Sequence, residues 1–497
     1  MFRRFERLLR PTDVTPDAAP PHLDTPWALV GFYWHFIRQV RQLIAMLFCA
    51  GLVVALLDAT IPVFIGRVVT LVSTTDPKAL LAEHGTLLIG MAIVLLVLRP
   101  IALLARDLVS NQTLAAGMTN LVRWQSHWHV VRQSWPFFQN DFAGRIANRV
   151  MQTGPSLRES VVASVNAVWY IIVYGTSAVL LLAQVDPYLA IPMLVWFVGY
   201  GVMLRAFVPR MRDRSRAMSE VRSALTGRIV DSYTNILTVK LFARATDEDA
   251  FVREGVDLHT STFHRQLRLT TTFGLTLAVM NASLVVGTGG TAIWLWSTGA
   301  IEVGSVAMAL PLAWQIGNMA GWVAQNVTQI FENIGVVQEG MRSIAVPRQM
   351  ADAPDATELQ VTSGAISFDH VTFGYGTSRG VLHDLMLSIA PGERVGLVGH
   401  SGAGKSTLVN LLLGFHAPDV GKIMIDGQDI AGVTQESLRT QIAMVTQDTS
   451  LLHRSIRDNI AYGRPWASDA EVIDAARQAE ALDFIETLED WNGRTGF

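Results

Sequence analysis

Six apolar runs, each long enough to cross a bilayer as a helix, occupy the first two thirds of the chain. They fall near 43–66, 84–105, 161–183, 188–208, 271–297 and 303–330. The first, second and fifth are the most continuous. The third and fourth are separated only by Gln184-Val185-Asp186-Pro187, a short turn. The sixth is the most polar. The long stretches between runs, 106–160 and 205–268, are poor in proline and keep apolar positions at helical spacing, as in Val221, Leu225, Ile229, Ile236 and Val239. They are expected to be helical extensions of the spans, reversing near Trp135-Pro136-Phe137-Phe138 to Gly144 and near Ser232 to Thr238. From Ala365 onward the pattern shortens. Ile366-Ser367-Phe368 and Val371-Thr372-Phe373 read as strands, Arg394 to Val398 as a buried strand, and Ser406 to Leu413 as a helix. The pattern gives an all-α six-helix transmembrane domain followed by an α/β domain.

Composition agrees: half the residues are hydrophobic and 16% charged, against about 25% in soluble proteins. Segment 106–160 carries Arg106, Arg123, Arg132, Arg145, Arg149 and Arg158, and 205–268 holds twelve Lys or Arg, whereas the turns 184–187 and 298–302 carry none. The positive-inside rule then puts the long segments and both termini on the cytoplasmic side of the cell inner (plasma) membrane. A net charge of −3 excludes the basic excess of a nucleic-acid binder. The single cysteine, Cys49, permits no intrachain disulfide and no Cys-based metal site, and is expected to be a small buried hydrophobe.

Residues 1–26, basic at first and then broken by Pro11, Pro16, Pro20, Pro21 and Pro26, are expected to be a disordered cytoplasmic segment. Trp27 to Val40 suits either an interfacial helix or an extension of the first span. The membrane domain is thus 27–344. A linker follows at 345–364, marked by Pro347, Asp352, Pro354 and Asp355, and the second domain covers 365–497.

The chemistry is concentrated at Gly399-His400-Ser401-Gly402-Ala403-Gly404-Lys405-Ser406-Thr407, which fits the phosphate-binding P-loop pattern. Glycines let the backbone approach phosphates, and successive N–H groups at a helix N-terminus face the anion. Lys405 adds a point charge, and the Ser406 hydroxyl is placed to ligate Mg²⁺. ATP and Mg²⁺ are the expected cofactors. In the sixth run Gln315, Asn318, Trp322, Gln325, Gln329 and Asn333 recur at spacings of three and four, on one helix face. Polar groups at membrane depth line a cavity or bond to other helices; both readings stand, the first making these residues a substrate path. Asp58, four residues before Pro62, invites a structural or gate role, with no basic partner nearby in sequence.

The second domain resembles the nucleotide-binding domain of ATP-binding cassette (ABC) transporters. Tyr375, after Phe373-Gly374, matches the family's adenine-stacking aromatic. Gly421 to Gly427, Leu438-Arg439, Ile442 to Asp448 and Ile456 to Gly463 match later family segments, and the resemblance assigns Gln447 to Mg²⁺ and the γ-phosphate. The membrane half is similar to the six-span exporter type. Phe137-Phe138 to Ile146 and Thr238 to Phe242 resemble its two docking turns, the second of which meets the partner chain's nucleotide domain. The resemblance implies a half-transporter that pairs with a second one, as homodimer or heterodimer, in the lipid bilayer. Residues 448–497 contain no Leu-Ser-Gly-Gly-Gln signature, no apolar strand ending in Asp followed by the catalytic Glu, and no switch histidine. A truncated exporter subunit is therefore expected, with exposed strand edges, that binds ATP without hydrolysing it. A non-hydrolytic nucleotide-binding membrane protein that regulates a partner, or is inactive, is the alternative. A P-loop kinase would leave the six spans and the docking turns unexplained.

Overall fold

The computed structural model describes residues 2–14, 27–139, 141, 143–348, 350, 352–376, 380–446 and 450–489. The chain divides into two compact units, one of 1–132 with 140–347 and one of 133–139 with 348–497.

The first unit is helical throughout. Ala28–Ile37 leads through a 3-10 turn into Arg41–Thr74; then come a helix from Leu80 to Val130 with two π-helical stretches, Ala143–Val168 continuing to Val185, Pro187–Thr234, Ala245–Ser297 and Val303–Ile344. The expected extensions are present, and the reversals fall at the short helices Trp135–Gln139 and Ile236–Leu241. Among the described residues, five helices are long and apolar enough to span a membrane. The sixth, Val303–Ile344, has the length, but Gln315, Asn318 and Gln325 dilute its apolarity. Asp186 caps the fourth span, its side chain accepting from Tyr188 N at 2.8 Å, with Pro187 at the first helical position.

The spans bury a core that includes Tyr174, Leu182, Leu189, Met193 and Leu312. Polar bonds cross it, as expected where lipid offers no alternative partner: Tyr200 Oη donates to Ala320 O at 3.2 Å and Asn281 Nδ2 to Gly317 O at 2.9 Å. The first and sixth spans approach through glycines. A Cβ on Gly66 would lie 2.6 Å from Gly304 O and 2.8 Å from Met308 Cβ, and one on Gly304 would overlap Thr70 Oγ1. Gly66→Ala or Gly304→Ala is therefore expected to cost about 1–3 kcal/mol, read as a lowered melting temperature in detergent. Gly90→Ala, which meets nothing within 4 Å, serves as the control. Equal melting of all three variants would refute the close approach.

The Ala28–Ile37 helix buries Phe32 and Phe36 and exposes Trp27, Val30 and Trp34. Tyr33 is hydrogen-bonded to Ser160 at 2.8 Å, and the amides of Gln39 and Gln125 exchange two bonds. Through the 3-10 turn Arg38–Val40 this helix runs on into Arg41–Thr74, making one helical segment of 47 residues.

Two expectations need correction. Cys49 is exposed rather than buried, because apolarity along a span does not tell which face meets other helices. Within the segment expected to be disordered, Phe2–Glu6 is helical, Phe5 O accepts from Thr113 Oγ1 at 3.0 Å, and Leu9 packs on Gly117. The absent Cβ of Gly117 makes room for that leucine. Residues 15–26 lie outside the described residues.

In the second unit, β1 (Ile366–Phe373), β2 (Leu382–Ile389), β3 (Val420–Ile425) and β4 (Gln428–Asp429) form an antiparallel sheet in the order β2-β1-β3-β4. Ile366 pairs with Ile389 on one side and Ile425 on the other. A bulge after Phe368 shifts the alternation so that Phe368, Val371 and Phe373 all reach the core with Leu382, Leu411 and Ile423. The β3–β4 hairpin turns on Asp426-Gly427, both at positive φ, as a two-residue Asp-Gly turn requires. The Asp426 carboxylate also accepts from the backbone N–H of Thr362, Ser363, Gly364 and Ala365 at 2.7–3.0 Å. These bonds hold its pKa far below the usual carboxylate range and tie the end of the linker to the sheet. Leu359, within the expected linker, is buried with Val433 and Leu438.

The segment Arg394–Val398 is not a buried strand. It has no ladder partner, and Val398 is 94% exposed. Residues 442–446, the expected approach to Gln447, likewise belong to no strand, with Val445 97% exposed. Backbone becomes a strand only when a neighbouring strand satisfies its N–H and C=O groups, and among the described residues neither segment joins a ladder.

Candidate nucleotide site

The loop before the helix Lys405–Leu412 is made by glycine conformations. Gly402 and Gly404 have φ of 84° and 88°. Gly404 caps the helix, and a side chain there would meet Leu382 Cδ2 at 2.9 Å. The first N–H groups of the helix therefore open onto the loop. The Lys405 ammonium folds back over it, donating to Gly399 O and His400 O at 2.8 Å each. Ala403 N donates to His400 O, and His400 to Ala403 form an exposed arch. A triphosphate would find backbone donors, a movable ammonium and the exposed Ser406 hydroxyl there, so the donor set fits ATP. One hydroxyl is a sparse protein share for Mg²⁺, an ion that normally keeps waters and phosphate oxygens as its other ligands. Thr407, in the first turn of the helix, is buried.

Tyr375 sits beside the loop. Its hydroxyl lies 3.2 Å from Thr407 Oγ1, and its ring meets Phe373 and His416 edge-on at 5.0 and 5.2 Å between centroids. It remains 42% exposed, which leaves ring surface for a base. His416, not singled out from the sequence, is kept neutral at physiological pH because burial lowers its pKa. Gln447 lies outside the described residues.

The far end of the P-loop helix is equally specified. Gly414, at φ 62°, and Phe415 donate back to Leu411 O and Asn410 O, the two bonds of a Schellman cap. Arg439 donates to Leu413 O and Gly414 O and stacks its guanidinium 5.0 Å from the Phe415 ring centroid. Trp135, at the start of the first expected reversal, lies 6.1 Å from Phe415 between ring centroids. In the second turn Leu237, Leu241 and Phe242 are exposed.

In the membrane unit, Asn318, Trp322, Gln325 and Gln329 share the exposed face of Val303–Ile344, with Gln315 partly covered beside them, opposite buried Leu312, Ile316 and Val323. Asn333 is partly covered. Asp58 has the partner that local sequence did not show: Arg99 Nε, on the second span, donates to Asp58 Oδ1 at 2.7 Å. Forty-one residues separate the two, so only helix pairing could reveal the contact.

Apolar spanning helices joined on one chain to a P-loop domain define a nucleotide-linked multi-pass membrane protein. The family model for the ABC transporter transmembrane region matches residues 44–316, and the family model described as ABC transporter matches 382–494. An uncharacterized ABC transporter ATP-binding protein of Haemophilus influenzae is 38% identical over all of this chain, which covers 80% of that protein. An ATM1-type heavy metal exporter of Novosphingobium aromaticivorans is 35% identical over 54% of the chain and 45% of its own length. A β-(1→2)glucan export ATP-binding/permease protein of Agrobacterium fabrum is 32% identical over 59% and 49%. The chain thus matches about half the length of these two exporters. The solved structure of a bacterial Atm1-family ABC exporter with ATP bound superposes with a TM-score of 0.78 at 26% identity, covering 92% of this chain and 79% of that one. The chain belongs to the ABC transporter family, as a half-transporter of the exporter type.

Proposed function

We propose that this protein exports a substrate across the plasma membrane as one half of a dimeric ATP-driven transporter, with both termini in the cytoplasm. The observation that carries the reading is the P-loop arch at Gly399–Ser406, followed by its capped helix, on one chain with the spanning helices. In the assembled transporter Lys405 and the N–H groups of the arch bind and orient the phosphates. Tyr375 stacks on the base, and Ser406, with Gln447 by resemblance, orients the metal. Bound Mg²⁺ supplies positive charge against the phosphates. Gln315, Asn318, Trp322, Gln325 and Gln329 line the substrate path. The exposure of Asn318, Gln325 and Gln329 on one face of the sixth helix supports this assignment. The exposed apolar turn Leu237–Phe242 supports a partner half, because an apolar patch at a helix reversal calls for a covering surface.

Residues 1–497 hold the phosphate-binding side of the site and no catalytic carboxylate after Gln447. A polypeptide of these residues in nanodiscs is expected to retain MgATP and to release phosphate no faster than its Lys405→Ala variant. Release above that background would refute the non-hydrolytic part of the reading. The protein isolated from its own membrane and weighed intact separates the two functions. A mass above 54.5 kDa with ATPase activity supports the exporter, whereas 54.5 kDa without activity supports a non-hydrolytic regulator.

A further inference from the structure

We propose that His416 is a positioning residue for the nucleotide base: it sets the ring plane of Tyr375 through their edge-to-face contact, so the affinity this site gains from the base depends on His416 while its affinity for the phosphates does not. The inference rests on the nucleotide-binding reading and adds a residue to it.

Three neighbours define the pose of Tyr375. Phe373, on β1, meets it at an interplanar angle of 82°, and His416, just past the P-loop helix, at 88°. The Tyr375 hydroxyl lies beside Thr407 Oγ1. Phe373 and His416 also touch each other, with centroids 5.3 Å apart, so the three rings form one closed cluster. Of these neighbours, Phe373 is fixed in the sheet core and Thr407 is buried in the first turn of the P-loop helix. His416 is only partly covered. It is therefore the member of the cluster whose removal frees the tyrosine ring without emptying the core. Its own direction is fixed by the Schellman cap immediately before it. A ring that stacks on a base must present one face at a set tilt, and a tyrosine free to rotate would spend entropy on each binding event. An edge-to-face contact is the geometry that aromatic rings favour, and it fixes tilt without covering the face.

The assay is calorimetric titration of the whole chain in nanodiscs with two probes: MgATP, and Mg²⁺ with inorganic tripolyphosphate, which keeps the phosphates and lacks the base. His416→Ala is expected to weaken MgATP roughly three- to ten-fold, the range of one aromatic contact, and to leave tripolyphosphate unchanged. His416→Phe keeps the edge and should restore MgATP to within about two-fold. Unchanged MgATP affinity in His416→Ala, or parallel weakening of both probes, overturns the proposal, the second result assigning His416 to the fold of the loop. Failure of the nucleotide reading has a different signature: the unmodified chain would bind neither probe, or Lys405→Ala would leave both affinities intact.

Discussion

Replacing Lys405 by methionine, which keeps the apolar stem and removes the charge, is expected to weaken MgATP binding about 10- to 100-fold, the worth of hydrogen bonds to a charged group. The structure gives the reason for a loss at the top of that range. The ammonium donates to two carbonyls of its own loop, so its stem is already laid across the arch, and binding an anion needs only a short swing of the head. Arginine at the same place should not rescue, because its planar fork cannot make that swing between the carbonyls of two adjacent residues. Isothermal titration of the unmodified chain and both variants, with melting curves to show that the fold persists, gives the comparison. Full affinity in Lys405→Met would remove the loop as the phosphate site.

Breaking the ion pair of the first two spans should produce the largest loss of stability. Asp58 is 6% exposed, and the Arg99 side chain 36% exposed, at membrane depth. Arg99→Gln leaves a carboxylate with its charge uncompensated, which in fully buried settings costs about 3–5 kcal/mol; the partial exposure of Arg99 moves the expectation to about 2–3 kcal/mol. Asp58→Asn should cost less, since the long stem of Arg99 lets the stranded guanidinium reach toward the membrane surface. The double variant Asp58→Asn with Arg99→Gln should be more stable than the sum of the single losses predicts, because each removes the other's stranded charge. Unfolding titrations in mixed micelles read all three. Strict additivity would mean that the 2.7 Å contact carries no coupling.

The parts of the fold written in one dimension were legible. Span lengths, the polar dilution of the sixth helix, the helical extensions of the long segments, the Asp426-Gly427 turn and the P-loop helix all follow from local periodicity or from residues whose backbone preferences are strong. Contacts between distant segments were not. Arg99 lies 41 residues from Asp58, and the side of a helix that carries Cys49 depends on its neighbours. His416 gave no signal because one histidine after a glycine cap has no pattern; the Phe373-Gly374-Tyr375 run would have been the place to look for its partners. The strand expected at Arg394–Val398 failed for a different reason. Its apolar sequence records a preference for burial between neighbours, and that preference is met only where a paired strand lies alongside. Of the candidate site, the loop residues and Tyr375 were found in sequence, while the way Lys405 closes the loop and Thr407 holds the tyrosine belongs to geometry alone.

The Schellman cap after the P-loop helix sends two successive side chains to different customers: Phe415 to Trp135 and Arg439, His416 to Tyr375. Trp135 belongs to the reversal between the helices ending at Val130 and beginning at Ala143. Linkage makes any coupling between two neighbours on one cap reciprocal. A measured effect of nucleotide on the hold on Trp135 would therefore have to return, with equal size, as an effect of Trp135 on nucleotide affinity.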